Sequence, residues 1–120
     1  MKIPGPDHPI TIASTPGRVR VSREGTAVAD TTQALTLKEA SYPPVQYIPR
    51  TDANRAVLIP STRVTHCPYK GDASYFSIKV GDRLIENAIW SYEQPYDAVK
   101  AIAGHLAFYP DKVTIEQLAG

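Results

Sequence analysis

The sequence predicts a mainly β, antiparallel domain with one short helix near its C-terminal end. Short runs alternate apolar and polar residues at period two, and glycine and proline turns separate them. Only Asp97–Ala103 has an alanine-rich helical composition. No self-similarity at a period of about 20–50 residues marks a repeat array.

Residues 1–16 hold four of the eleven prolines. Proline fixes φ and removes a donor, so this stretch is expected as an extended arm outside the core, with the β-domain spanning 17–120. Arg18-Val19-Arg20-Val21 sets two valines against two arginines, and a turn at Arg23–Thr26 leads into Thr26–Asp30 as a hairpin. Gln33–Leu37 alternates again until Pro43-Pro44, which cannot donate to a ladder. Val45–Ile48 and Ala56–Ile59 read as short strands, each stopped by a proline.

Ser74–Val80 and Arg83–Tyr92 flank Gly81-Asp82, a tight-turn dipeptide between two β-rich runs. Asp97–Ala103 reads as a helix of about two turns, with Asp97 at its start and Gly104 as its stop. Leu106–Tyr109 and Val113–Glu116 suggest a last hairpin in which Val113 and Ile115 share a face.

Composition narrows the classes of function. The 120 residues, 42% of them hydrophobic, suffice for one core. Thirteen Lys and Arg against twelve Asp and Glu leave a net charge of +1, so no global field recruits nucleic acid or an anionic membrane, and neither is expected as a partner. No run of about eighteen apolar residues is present, and MKIPGPDHPI lacks the apolar stretch of a signal peptide. A cytoplasmic protein is expected.

The single cysteine makes no internal disulfide. Cys67 with His8, His66 and His105 matches no zinc spacing, so neither metal nor cofactor is expected. The patterns for dinucleotide binding, P-loops and zinc proteases are missing too.

THCPYKGDASYF, residues 65–76, sets Cys67 beside a histidine, a lysine and two tyrosines. A thiolate needs a cation or a histidine near it. In an extended segment, however, Thr65 and Cys67 share one face while His66 points to the other, so any partner such as Lys70 or His105 must come through the fold. A lone cysteine is also often a small buried hydrophobe.

Trp90–Tyr96 is the second aromatic concentration. Period two puts Glu86, Ala88, Trp90 and Tyr92 on one face, which suits either a ligand pocket or an aromatic corner. Asp30 and Glu39 are further acids near strand ends, which no spacing forces together. Arg18, Arg20 and Arg23 read as a solvated strand edge.

Taken in order, Val28–Thr31, Leu37–Glu39, Tyr47–Pro49, T-x-C-P-Y-K-G-x-A-x-Y from Thr65 to Tyr75, W-S-Y-x-x-P from Trp90, and A-G-x-L-A-F-Y ending at Tyr109 resemble the bacterial and fungal domain-of-unknown-function family 427. The match runs from about Arg18 to Glu116. The resemblance implies a β-tent-like arrangement of two antiparallel sheets leaning together. Domains of that kind often hold zinc with cysteine pairs, whereas this chain has Cys67 alone. A nucleotidyltransferase-like label is attached to the family, but neither a Gly-Ser motif nor a paired-acid motif for metal-bound phosphates is found here.

The family motifs include Cys67, Tyr69, Lys70, Tyr75, Trp90 and Tyr92, with Asp30, Glu39 and Tyr47, and these are expected to converge on one pocket. Three functions follow. The first is binding of a small molecule in a pocket lined by Cys67, Tyr75, Trp90 and Tyr92, with Glu39 and Lys70 giving polarity. The second is acyl or thiol transfer with Cys67 as nucleophile and Lys70 or His105 lowering its pKa. The third is a non-catalytic interaction module, a possible homodimer through a β-edge.

Overall fold

The computed structural model describes residues 1–119 and is built from ten strands in three antiparallel sheets. They are β1 (Ile10–Ser14), β2 (Arg18–Arg23), β3 (Thr26–Thr31), β4 (Leu35–Glu39), β5 (Val45–Tyr47), β6 (Leu58–Cys67), β7 (Gly71–Val80), β8 (Arg83–Ser91), β9 (Ala107–Phe108) and β10 (Thr114–Leu118). The sheets run β1-β4-β5, β10-β2-β3 and β6-β7-β8-β9. Three sheets thus stand where two were expected. Reciprocal backbone hydrogen bonds of 2.8 Å between Ile48 and Leu106 stitch β5 to β9 and join the first sheet to the last.

Strand alternation gives the β6–β9 sheet two apolar faces, and each is covered. On one face Ile78, Ile89 and Phe108 pack against Val19, Val21 and Val28 of the β10-β2-β3 sheet. On the other, Ala73, Tyr75, Tyr92 and Ala107 meet Leu37, Tyr47, Val99 and Ile102. The Gly81-Asp82 turn closes the β7–β8 hairpin as the sequence predicts, with Val80 opposite Arg83. The β2–β3 hairpin also forms, with a bulge at Val21/Ser22.

Several expectations are corrected. The proline-rich arm is docked: Ile10–Ser14 pairs with β4, because Pro9 and Pro16 bracket six residues that all keep their donors. Ile10 and Ile12 pack against the second core. Ala56 and Val57 belong to a 3-10 turn, Arg55–Val57, held by the Asn54 side chain accepting from the Ala56 amide. The strand begins at Leu58 and runs through Pro60, which is tolerated because β6 is an edge strand.

The expected helix is instead a pair of 3-10 turns over Asp97–Ile102, broken at Val99, where φ is −125°. Tyr96 occupies the cap position and gives no side-chain hydrogen bond. The buried residues are Val99 and Ile102, three apart, which is the spacing that stacks side chains on a 3-10 turn.

The last hairpin does not form either. β9 has β8 on one side and Ile48 on the other, so no edge is free, and β10 pairs with β2. β2 therefore lies inside its sheet, and Arg18 and Arg20 are not a solvated edge. Both reach Asp30, Arg18 through two nitrogens.

Gly17, between β1 and β2, has φ +75°, and a Cβ there would collide with the backbone carbonyl of Leu118. Gly17→Ala is expected to cost about 2 kcal/mol by thermal unfolding, since both the left-handed backbone and the clash oppose it. Gly25→Ala, at φ +81° with open space around it, should cost about 1 kcal/mol. Equal losses would show that the end of β10 simply moves aside.

Candidate functional site

Because β5 continues into β9, seven strands follow one another from β1 to β6, and their common face encloses a cavity of about 500 Å³. Leu37 and Glu39 of β4 and Val45, Gln46 and Tyr47 of β5 form one wall. Tyr75, Trp90 and Tyr92 form the opposite wall, Lys70 lies at one end, and Tyr109 and Pro110 lie beyond β9. The Tyr42-Pro43-Pro44 loop borders the opening. An apolar, aromatic-lined hollow of this size is the usual form of a small-molecule site.

The Glu39 carboxylate holds the Lys70 end. One oxygen accepts from Lys70 Nζ and the other lies 2.7 Å from His8 Nε2. The Glu39 and Lys70 side chains are only 14% and 9% exposed. Burial would push the Glu39 carboxyl up, but the hydrogen bonds from Lys70 and His8 outweigh it and hold the group below its ordinary range. The His8 ring stacks on Tyr69 at 3.9 Å, and the Lys2 amide donates to the Pro68 carbonyl at 2.8 Å. The arm thus fastens β4 to the β6–β7 turn.

Aromatic side chains interlock through the middle. Trp90 Nε1 donates to the Tyr47 hydroxyl at 3.2 Å, and the Trp90 and Tyr109 rings lie 4.6 Å apart. Burial raises the Tyr47 and Tyr92 phenols well above their ordinary range, so both stay protonated. At the far end Tyr75 Oη lies 2.9 Å from Thr65 Oγ1 and 3.4 Å from Tyr109 Oη.

Those two phenols diverge. Burial and the Tyr75 hydroxyl raise Tyr109 to about 12. Burial also opposes ionisation of Tyr75, but hydrogen bonds from Thr65, Tyr109 and Arg63 outweigh it and lower that phenol.

A family model described as a domain of unknown function (DUF427) matches residues 11–118, nearly the whole chain. The chain belongs to the DUF427 family. The match begins at β1, so it includes part of the stretch expected to be an arm. No curated protein matches the chain.

Of the residues singled out from sequence, the DUF427 domain brings Glu39, Tyr47, Lys70, Tyr75, Trp90 and Tyr92 to the cavity wall. Three stand elsewhere. Cys67 is half-buried and packs against the second core without lining the cavity. Tyr69 sits outside, under His8. Asp30 is on the β10-β2-β3 sheet, held by Arg18, and borders a shallow depression between β3 and residues 51–54.

Neither proposed activator of the thiol is free for it. Lys70 is paired with Glu39, and His105 Nδ1 lies 3.2 Å from the Ala103 carbonyl. His66 turns outward to Asp72, 2.7 Å away, as strand alternation requires. Glu86, expected beside Trp90, is exposed instead, because β8 is bulged around Asn87, where φ is +51°. The carboxylate of the cavity is Glu39.

Sequence reasoning missed Tyr109, Gln46, His8 and Arg63 as members or supports of the site. Tyr109 stood in the A-G-x-L-A-F-Y motif and was the most accessible signal; the others have no local signature. Among the described residues no three His, Cys, Asp or Glu side chains are grouped to hold a metal ion. No helix among them is long and apolar enough to cross a membrane.

Proposed function

We propose that the DUF427 domain binds a small, largely apolar, ring-bearing molecule in the cavity between β4–β5 and β7–β8. The observation that carries this reading is a hollow of about 500 Å³ walled by Tyr47, Tyr75, Trp90, Tyr92 and Tyr109 in a 120-residue chain. Tyr47, Tyr75 and Tyr92 are buried, while Trp90 and Tyr109 keep part of their surface exposed, and an occupant removes that surface from water. The buried Glu39–Lys70 pair supplies a fixed polar end. In this reading Cys67 is a packing residue rather than a nucleophile.

Trp90 is the only tryptophan and lies in the wall, so its emission reports occupancy directly. A metabolite screen read by Trp90 fluorescence and by thermal shift should yield compounds that move both signals. An occupant at about a hundred times its Kd adds about 2.7 kcal/mol of stability. Val45→Phe, which fills the hollow from β5, should weaken every hit. A screen in which no compound moves both signals removes the reading, as does a hit that Val45→Phe leaves unaffected.

A further inference from the structure

The cavity does not end at the tyrosine pair. Tyr75 and Tyr109 also form the wall of a neighbouring depression of about 260 Å³, completed by Arg63, Asn87, Asp111 and Lys112. Tyr75 and Tyr109, whose hydroxyls lie 3.4 Å apart, therefore border both an aromatic chamber and a basic one.

Two irregularities build the basic chamber. β6 slips register between Pro60 and Val64, opposite Phe76 and Ser74, and β8 is bulged opposite Phe76 and Ile78, so the two neighbours of β7 are interrupted on either side of Phe76. Across β7 the interruptions are tied together. Ser61 Oγ donates to Asn87 Oδ1 at 2.5 Å, and the Asn87 amide donates to Ser77 Oγ at 3.0 Å. Asn87 is held at φ +51°, a left-handed conformation that favours glycine. Bulges re-aim side chains and gather next to functional sites. Here they deliver Arg63 and Asn87 to the depression that Tyr75 and Tyr109 border.

Charge separates the two ends of the site. Lys70 is neutralised by Glu39, so an anion entering there meets a carboxylate. Among the described residues Arg63 has no carboxylate within ion-pair distance. Its guanidinium lies 5.1 Å from the Tyr75 ring centroid. Lys112 Nζ, donating to the Glu86 carbonyl at 2.7 Å, adds a second cation, and Asp111 is the one carboxylate lining the chamber.

We propose that the occupant of the cavity is a carboxylate-bearing compound: its apolar body fills the aromatic chamber, and its carboxylate accepts hydrogen bonds from the Tyr75 and Tyr109 hydroxyls beside the Arg63 guanidinium. This rests on the reading of the cavity as a ligand site and adds the class of ligand. Phenolic donors aimed at an anion, with a guanidinium beside them, make charge-assisted hydrogen bonds, the strong kind.

The test is a Trp90 fluorescence titration with graded aryl and alkyl carboxylates, phenylacetate to 4-phenylbutyrate and hexanoate to decanoate, each beside its amide. At least one acid should bind about tenfold more tightly than its amide. Arg63→Gln should erase that preference, Arg63→Lys should keep part of it, and Asp111→Asn should tighten the acid severalfold. Arg63 and Asp111 are exposed, and circular dichroism with a thermal melt confirms that the variants fold.

Amides that bind as well as their acids overturn the proposal, as does a preference that survives Arg63→Gln. If no pair binds at all, the carboxylate assignment is rejected. Uncharged hits in the metabolite screen would in that case leave the cavity reading standing.

Discussion

Replacing Lys70 with methionine is expected to destabilise the domain by about 3 kcal/mol, because it strands a carboxylate that the fold has largely removed from water. Lys70 and Glu39 side chains are 9% and 14% exposed, well inside the range where losing one partner is costly. The cost falls at the low end for buried pairs because His8 stays beside the other Glu39 oxygen. The double variant Lys70→Met/Glu39→Leu should recover more than half of the loss, since no charge is then left behind. Denaturant unfolding of both single variants and the double gives the coupling. A single-variant loss under about 0.5 kcal/mol, as for exposed pairs, would show that water reaches the site.

The same pair sets an acid dependence. The folded-state pKa of Glu39 is depressed, so the stability it contributes is fully present above the ordinary value of 4.5 and is lost as pH falls below it, through the depressed folded-state value. Wild-type stability should decline over that window, and Lys70→Met should decline less steeply, because much of what depresses the pKa has been removed. Equal slopes would assign the acid dependence to other carboxylates.

Ile89→Ala is the second large effect. Ile89 is fully buried on β8, opposite Phe76 and Phe108 in the ladder, and faces the β10-β2-β3 sheet. Truncation leaves a hole that rigid sheets on both sides cannot close, and about 3–4 kcal/mol should be lost; Ile89→Val should cost about 1 kcal/mol. The urea midpoint should fall with an unchanged slope. Trp90, the next residue, points to the opposite face, so its folded-state emission should not change. A shifted Trp90 emission would mean that the two faces relax together.

How far the chain could be read follows from which interactions are local. The β7–β8 hairpin was legible because Gly81-Asp82 fixes its turn within two residues and the flanking runs alternate. The β2–β3 hairpin was legible for the same reason. The outward turn of His66, away from Cys67, follows from alternation alone. By contrast, β10 pairs with β2 and not with the β9 segment next to it in sequence, because free edges are a property of the assembled sheet and β9 has none. Alanine content favours a helix over Asp97–Ala103, whereas the segment that buries both Val99 and Ile102 forms 3-10 turns.

The site divides in the same way. Family motifs marked Glu39, Tyr47, Lys70, Tyr75, Trp90 and Tyr92, and these six reach the cavity wall; they marked Cys67, Tyr69 and Asp30 equally, and these do not. A motif records that a residue matters to the fold or the site without saying which. The partner of Lys70 lies 31 positions away, and Tyr75 meets Tyr109 across 34. Such pairings depend on which strands become neighbours. By itself the sequence determined the β class, the turns and the face on which each strand residue lies, because backbone sterics and period-two alternation act within a few residues. Only the tertiary structure decided that Glu39 holds Lys70, that Cys67 does not line the cavity, and that paired bulges carry Arg63 to the depression beside the tyrosines, because each depends on strand order and register.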